Sequence, residues 1–391
     1  MMYDRNNLPE ELLNLPDSAF ESLHQEDIRD EKFQTKPIGF FKDAMIRLAH
    51  SKVSMFSVAV IAIIIVLALI VPNITGYSYT EQNIALKNLP PKIPVLCDMG
   101  IADGSRVLEK RKVESLTDTS RYPEGSVIEL VNEYELKGVP MCDVKVDAYV
   151  YAGADPDEYH WFGTDYLGRD LMTRLFQGTR ISLLIAFFSV ITNCIIGVIY
   201  GAIAGYYGGK VDLILTHVAE ILDGMPYTVV AILFMILFGA GMLSIILALC
   251  ITGWIGTSRL IRSQFYRYKG REYVLAARTL GVPDMTLIFR HILPNCVGPL
   301  ITRTMIAIPG AIFSESFLAF LGLGIKAPNP SIGVLLSNGQ DVLLQYPYQV
   351  FFPAVLISVL MIAFNLFSTV CATRSTRPNA ERSNQLWLLK T

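Results

Sequence analysis

Apolar residues in this chain gather in long unbroken runs, separated by charged stretches, rather than in the short alternations of soluble helices and strands. Six runs approach the roughly 20 residues that a helix needs to cross a bilayer. They are Val53 to Pro72, Ile181 to Ala204, Val211 to Phe238, Met242 to Trp254, Val297 to Phe320 and Val350 to Cys371. An unsatisfied backbone polar group in lipid costs several kcal/mol and a helix satisfies its own, so helix is the expected form of each run. The pattern predicts an all-α integral membrane protein with six transmembrane helices.

Composition agrees. Of 391 residues, 52% are hydrophobic and only 17% charged, against nearer a quarter charged in soluble domains. The net charge of −2 leaves no global basic field for nucleic acid, so the placement of the basic residues matters more than their number. Lys42, Arg47 and Lys52 closely precede the first run, which lacks an A-x-A type cleavage site and is expected to remain as an anchor. The positive-inside rule then puts the N-terminal segment, 1–52, in the cytoplasm, with 53–72 as the first transmembrane helix. Six spans return the tail, 374–391, to the same side. The loop 259–295, with seven Lys/Arg against two Asp/Glu, and the tail, with Arg374, Arg377, Arg382 and Lys390, fit that side.

The long segment 73–180 is then extracytoplasmic. Its "NLPPKIPVL" has too many prolines for a helix, while "SVIELV" and "VKVDAYVYA" read as short strands, so an α+β or mostly β insertion is expected between spans one and two. It carries Cys97 and Cys142, for which a disulfide and a pair of reduced thiols are both open. The remaining 181–373 form a core of five transmembrane helices.

Candidate chemistry is sparse. "AGYYGGKVD" at 204–212 resembles a phosphate loop but has Ala204 at the first glycine position and Val211 after Lys210, so it reads as a tight turn. This chain is expected to bind no ATP, no metal and no other cofactor, and to have no catalytic residue. His160, Asp165 and Asp170 form a tempting metal set. The preferred reading is a structured lead-in to span two, with Gly163 and Gly168 in turns and Asp165 or Asp170 capping a helix. Acids inside apolar runs carry more weight, since a charge near the bilayer centre costs at least about 2.5 to 3.5 kcal/mol. Glu220 and Asp223, three apart, share one helix face, and Glu315 follows Pro309 and Gly310. Each could line a translocation pathway or a helix interface, and for the first two a site near the membrane surface is the alternative.

The stretch "EYVLAARTLGVPDMTLIFRHILPN", 272–295, is the most informative. As a helix it places Tyr273, Ala276, Ala277 and Leu280 on one face, shallow at the two alanines. Gly281 is a helix stop, and Pro283 with Asp284 restarts a second helix whose face is Met285, Ile288, Phe289 and Ile292, closed by Pro294. A small-residue face ringed by Arg271, Arg278, Arg290 and His291 suits a knob for another protein's groove.

At these residues the chain resembles the permease subunits of binding-protein-dependent ABC importers, of the oligopeptide, dipeptide and nickel branch. That family's loop has the form E-A-A, three residues, Gly, nine residues, I-x-L-P, and Ala276, Ala277, Gly281, Leu293 and Pro294 fall on it. Leu275 and His291 depart from it, while Glu272 and "RHILPN" are similar to the peptide-permease variant. "FGTDYLGRDLMTRLFQGTRISL", "GYYGGKVD" and "SESFLAFLGLG" resemble the same branch, and the long polar N-terminus with "NLPPKIP" looks most like an oligopeptide permease.

The resemblance implies a type I ABC importer permease fold in the cell membrane, multi-pass, with both termini cytoplasmic. It implies oligopeptide import by a pore shared with a second homologous permease subunit. Two ABC ATPase subunits would carry ATP and magnesium, and an extracytoplasmic peptide-binding protein would deliver the substrate. Carried onto this chain, Glu272, Ala276, Ala277, Arg278, Gly281 and Pro294 belong to the ATPase-coupling surface. The alternatives are a secondary transporter or channel independent of an ATPase, and an ABC permease for dipeptides or nickel.

Overall fold

The computed structural model describes residues 51–97, 99–155 and 157–375. The N-terminal segment 1–50, with Lys42 and Arg47, and the tail beyond 375, with Arg377, Arg382 and Lys390, lie outside the described residues. Helix α1, Lys52–Ile74, is capped by the Ser51 hydroxyl and is apolar along almost its whole length. Its buried residues Ser54, Ser57, Ile64, Ala68 and Val71 recur every three, four or seven positions. This narrow stripe packs against Ala186 and Val190 of α2 (Leu171–Tyr207) and Leu360 and Phe364 of α10 (Tyr348–Ser375). The other faces of α1 are open and apolar, as a lipid-facing helix requires.

At 37 residues α2 is about 55 Å long, well beyond a bilayer's apolar core, and it links the two ends of the molecule. Gly197, Gly201 and Gly205 repeat every four residues along it. A Cβ on Gly201 would lie 2.4 Å from the Ser258 carbonyl oxygen, so glycine lets two backbones approach within contact.

The turn at Gly208 and Gly209, both at positive φ, leads to α3 (Gly209–Asp223) and α4 (Tyr227–Phe238). The expected third span, Val211 to Phe238, is not one straight helix: the two pieces meet at 80°. Pro226 has no N–H to continue the ladder, and Glu220 and Asp223 keep the first piece polar at its end. Helix α5 (Met242–Thr252) and helix α6 (Ile255–Tyr268) form a single 27-residue run, so the fourth span continues well past Trp254 into polar sequence. After α7 (Glu272–Thr279), residues Asp284–Leu323 make a continuous 40-residue helical run whose central piece is α8 (Leu293–Leu318). Helix α9 (Ile332–Gln340) precedes α10. Among the described residues five runs are thus long and apolar enough to cross a membrane, with the bent α3–α4 pair as a sixth candidate.

The insertion is α+β. Strands β1 (Ser105–Lys112), β2 (Val127–Leu136) and β3 (Val139–Asp147) form an antiparallel sheet ordered β1-β3-β2. Lys137 and Gly138, both at positive φ, make the tight β2–β3 turn. "VKVDAYVYA" is strand only to Asp147, whose carboxylate accepts from the Tyr149 and Val150 N–H groups and starts a short helix, Ala148–Ala152. A Pro94–Cys97 turn of helix also sits inside the proline-rich stretch expected to be non-helical, with Pro94 at its first position, where a missing N–H costs nothing.

Candidate functional site

The lead-in to α2 is a buried polar lock. Gly163 and Gly168 have φ +78 and +72, and a Cβ on Gly168 would meet the Asn83 carbonyl oxygen at 1.7 Å. Asp165 accepts from the Leu167 and Arg169 N–H groups at 2.9 and 3.0 Å and binds the Arg169 guanidinium at 2.8 Å. Arg174 Nε lies 3.3 Å from the same carboxylate and its Nη1 donates to the Tyr79 carbonyl. Asp170 caps α2, accepting from the Thr173 N–H and hydroxyl at 2.7 and 2.6 Å, with His160 Nδ1 at 2.9 Å. Gln349 at the start of α10 donates to Asn88 and to the Thr164 carbonyl. His160, Asp165 and Asp170 therefore serve as caps and pins. Among the described residues no group of three His, Cys, Asp or Glu is placed to hold a metal ion. Cys142 is buried in β3 with its Sγ 3.5 Å from the Arg111 carbonyl oxygen, the Cys97 Sγ lies 3.0 Å from the Pro94 carbonyl oxygen, and both are thiols.

The opposite end of α2 carries the 272–295 surface. Helix α7 rests on an apolar seat of Ala202 and Tyr206 from α2 and Ile261 and Phe265 from α6. Val274 (0% exposed) and Ala277 (9%) fill it. The expected common face of Tyr273, Ala276, Ala277 and Leu280 is therefore divided. Ala277 points into the protein, while Tyr273, Ala276 and Leu280 (84% exposed) point out together with Glu272 and Arg278. Val274 is bulkier and more apolar than Ala276, so the 274/277 pair wins the seat and turns the helix accordingly. The second face divides the same way, with Ile288 and Ile292 buried and Met285 and Phe289 exposed.

Gly281 ends α7 at φ +79, and its N–H reaches the Arg278 carbonyl. A Cβ there would meet nothing within 4 Å, so the glycine is needed for backbone conformation and leaves open space above it. The Tyr206 hydroxyl donates to Asp284 at 2.5 Å, and the Arg278 guanidinium lies over the Tyr206 ring at 5.4 Å. Asn295 donates to the Tyr273 hydroxyl at 3.1 Å, and partial desolvation of that phenol pushes its pKa up. Pro294 does not close the second helix. Residues 287–292 form a wide turn in which the Leu293 N–H bonds to Ile288, five back, and this lets the helix carry the proline ring onward into α8.

Glu315 is fully buried in α8. One oxygen accepts from Ser182 of α2 at 2.8 Å and lies 3.4 Å from the Ser316 hydroxyl, and the other has no hydrogen-bond partner. Ser182 in turn accepts from the Ile332 N–H that begins α9. Glu220 and Asp223 are exposed beside the α3–α4 break, paired with His217 at 3.1 Å and Arg259 at 2.8 Å. Sequence reasoning missed the seat itself, Tyr206 and Phe265, although the four-residue repeat of glycines ending in "GYYGG" marks where two helices press together beneath it.

Long apolar helices around a glycine-lined contact, with a small amphipathic helix displayed at one end, define a multi-pass membrane protein. The profile of the binding-protein-dependent transport system inner membrane component matches residues 197–377, and that of the N-terminal TM domain of oligopeptide transport permease C matches 39–91. The dipeptide transport system permease protein DppC of Bacillus subtilis is 35% identical over 92% of this chain and 92% of its own length. The oligopeptide transport system permease protein OppC of the same organism is 32% identical over 90% and 94%. OppC of Haemophilus influenzae is 41% identical over 53% of this chain and 67% of its own. The chain belongs to the family of binding-protein-dependent transport system inner membrane components and is a permease subunit of an ABC importer. Such permease subunits are not themselves enzymes.

Proposed function

We propose that this permease imports oligopeptides and that α7 is the element through which ATP hydrolysis on separate subunits reaches the pore. The carrying observation is that α7 buries Val274 and Ala277 in its own protein while presenting Glu272, Ala276, Arg278 and the open Gly281 turn outward. A second homologous permease completes the pathway, two ATPase subunits carry ATP and magnesium, and an extracytoplasmic binding protein delivers peptide. Counting the bent α3–α4 pair as a span gives six, with both termini cytoplasmic and the insertion outside. Glu220 and Asp223 then sit at the rim of the path, and Glu315 holds α2 to α9 behind it. Cys97 and Cys142 would be joined only in an oxidising compartment.

Because the apolar seat gathers α2, α6, α7 and the start of α8, and Tyr206–Asp284 ties α2 to the run that continues into α8, a displacement of α7 by its partner is transmitted to α2, α6 and α8 together. Gly281→Asp tests this. The side chain enters open space, so the variant should insert and purify normally, with only the roughly 1 to 2 kcal/mol cost of a non-glycine residue in the left-handed region. ATP-dependent uptake should nevertheless fall at least tenfold. Unchanged uptake at normal expression sinks the assignment. A dipeptide-specific reading has its own support in the 35% identity to a dipeptide permease, and uptake of peptides of graded length separates the two.

A further inference from the structure

Arg303 lies in α8 within the apolar stretch Val297 to Phe320, less than two turns from the end that follows the 272–295 surface. A guanidinium at that depth must face protein or water rather than lipid. Its side chain is exposed in the single chain and borders a cavity of about 240 Å³ between α2, the α5–α6 junction and α8, whose polar lining is Asn193, Thr257, Arg303, Thr304 and Ser314 with the Cys194 thiol. Among the described residues no Asp or Glu lines the cavity and no ion pair includes Arg303.

Two glycines clear the wall for these side chains. A Cβ on Gly253 would stand 2.3 Å from Asn193 Nδ2, and one on Gly256 would stand 2.3 Å from Arg303 Nη2. Asn193 Nδ2 donates to the Leu249 carbonyl, which fixes the amide at the cavity edge. Nearer the insertion end of α2 a wider cavity of about 570 Å³ carries Arg180, Lys326, Gln177 and Asn329, again with no acid in its lining. Two cation-bearing cavities therefore follow one another along the same helix, the deeper one holding a fork of N–H donors with no anion of its own.

We infer that Arg303 is a specificity-determining residue that takes the C-terminal carboxylate of the transported peptide as it passes through the membrane. A guanidinium fork matches a planar carboxylate through two parallel charge-assisted hydrogen bonds. The terminal carboxylate is the one anionic group that every linear peptide carries whatever its side chains, so a path that must tolerate many sequences can hold that group alone. This inference rests on the peptide-import reading.

The test uses the full complex with its ATPase subunits and binding protein in proteoliposomes. Uptake is measured for a neutral pentapeptide with a free C-terminus, for its C-terminal amide, and for an amide carrying one internal glutamate. Wild type, R303Q and R303K are compared as ratios between peptides, so any preference of the binding protein cancels. R303Q should lower uptake of the free acid roughly tenfold or more while leaving the plain amide within about twofold. R303K, which keeps the charge without the fork, should show a smaller loss confined to the free acid.

Equal losses for acid and amide overturn the assignment in favour of a structural role. A loss that follows the internal glutamate instead of the terminus overturns the choice of the terminal carboxylate. Binding-protein-stimulated ATPase activity shows whether each variant is assembled, and if R303Q does not assemble the R303K ratios decide. Failure of the wild-type complex to take up any of the three peptides would tell against peptide import itself, a result distinct from both.

Discussion

The two ends of α2 are held in opposite ways. At the insertion end, Asp165, Asp170, Thr164, Arg169, Arg174 and His160 are all at most 4% exposed and bonded to one another or to backbone groups of distant segments. At the other end, α7 is held mainly by apolar contact, and its charged and small residues look outward. Buried polar networks fix one geometry because any slip leaves a desolvated charge unpaired, whereas an apolar seat tolerates small sliding at little cost. The first end is built to stay, and the second to be pushed.

The strongest way to break that contrast is to strike the lock. Asp165→Ala removes the shared partner of two guanidiniums that are each 2% exposed. Removing one member of a buried ion-paired set costs about 3 to 5 kcal/mol. The variant should lose its monodisperse peak in detergent or melt far below wild type. A melting temperature within a few degrees of wild type would mean that the lead-in is not the rigid end.

A gentler change separates the two alanines of α7. Ala277→Glu drives a carboxylate into the seat formed by Tyr206 and Phe265, leaving it to be buried unpaired or to unseat the helix at a cost of a few kcal/mol. Ala276→Glu, one residue away and exposed, should leave stability within about 0.5 kcal/mol. It should still impair ATP-driven uptake and co-purification of ATPase subunits, because it alters the outward surface. If both variants are equally unstable, or if Ala276→Glu transports normally, the division of the face carries no functional meaning.

How much of this was legible in the sequence follows from which forces are local. Apolar runs mark the long helices, since length and hydropathy are properties of a single segment, and Asp170 reads as a cap because the capping residue and its target are three apart. Gly281 likewise announces its positive φ. The rotation of α7 was not legible: a helical wheel shows Tyr273, Ala276, Ala277 and Leu280 as one face, and only the seat supplied by residues some 10 to 75 positions away decides that 274 and 277 turn inward. The 80° break in the third run and the passage of the helix through Pro294 are similar cases. Proline announces an interruption, but neighbouring packing decides whether the chain bends, as after Asp223, or widens one turn and continues, as at 287–292. Arg303 escaped notice because its meaning depends on Gly253 and Gly256 of another helix.

The smallest expected effect lies between the two ends, at Asp223. Its carboxylate pairs with Arg259 at 2.8 Å across the α3–α6 gap, yet both side chains are about half exposed, and exposed pairs contribute roughly 0 to 1 kcal/mol. Asp223→Asn should therefore barely move the melting temperature. If Asp223 stands at the rim of the path, as proposed, the substitution leaves Arg259 without its partner there. Uptake of peptides with cationic side chains should then fall a few-fold relative to neutral ones, with the difference shrinking as salt is raised, since an exposed field is screened beyond about 10 Å at 0.1 M. A salt-independent change, or one equal for cationic and neutral peptides, would place Asp223 at a helix contact and leave Glu220 as the rim's acid from this pair of helices.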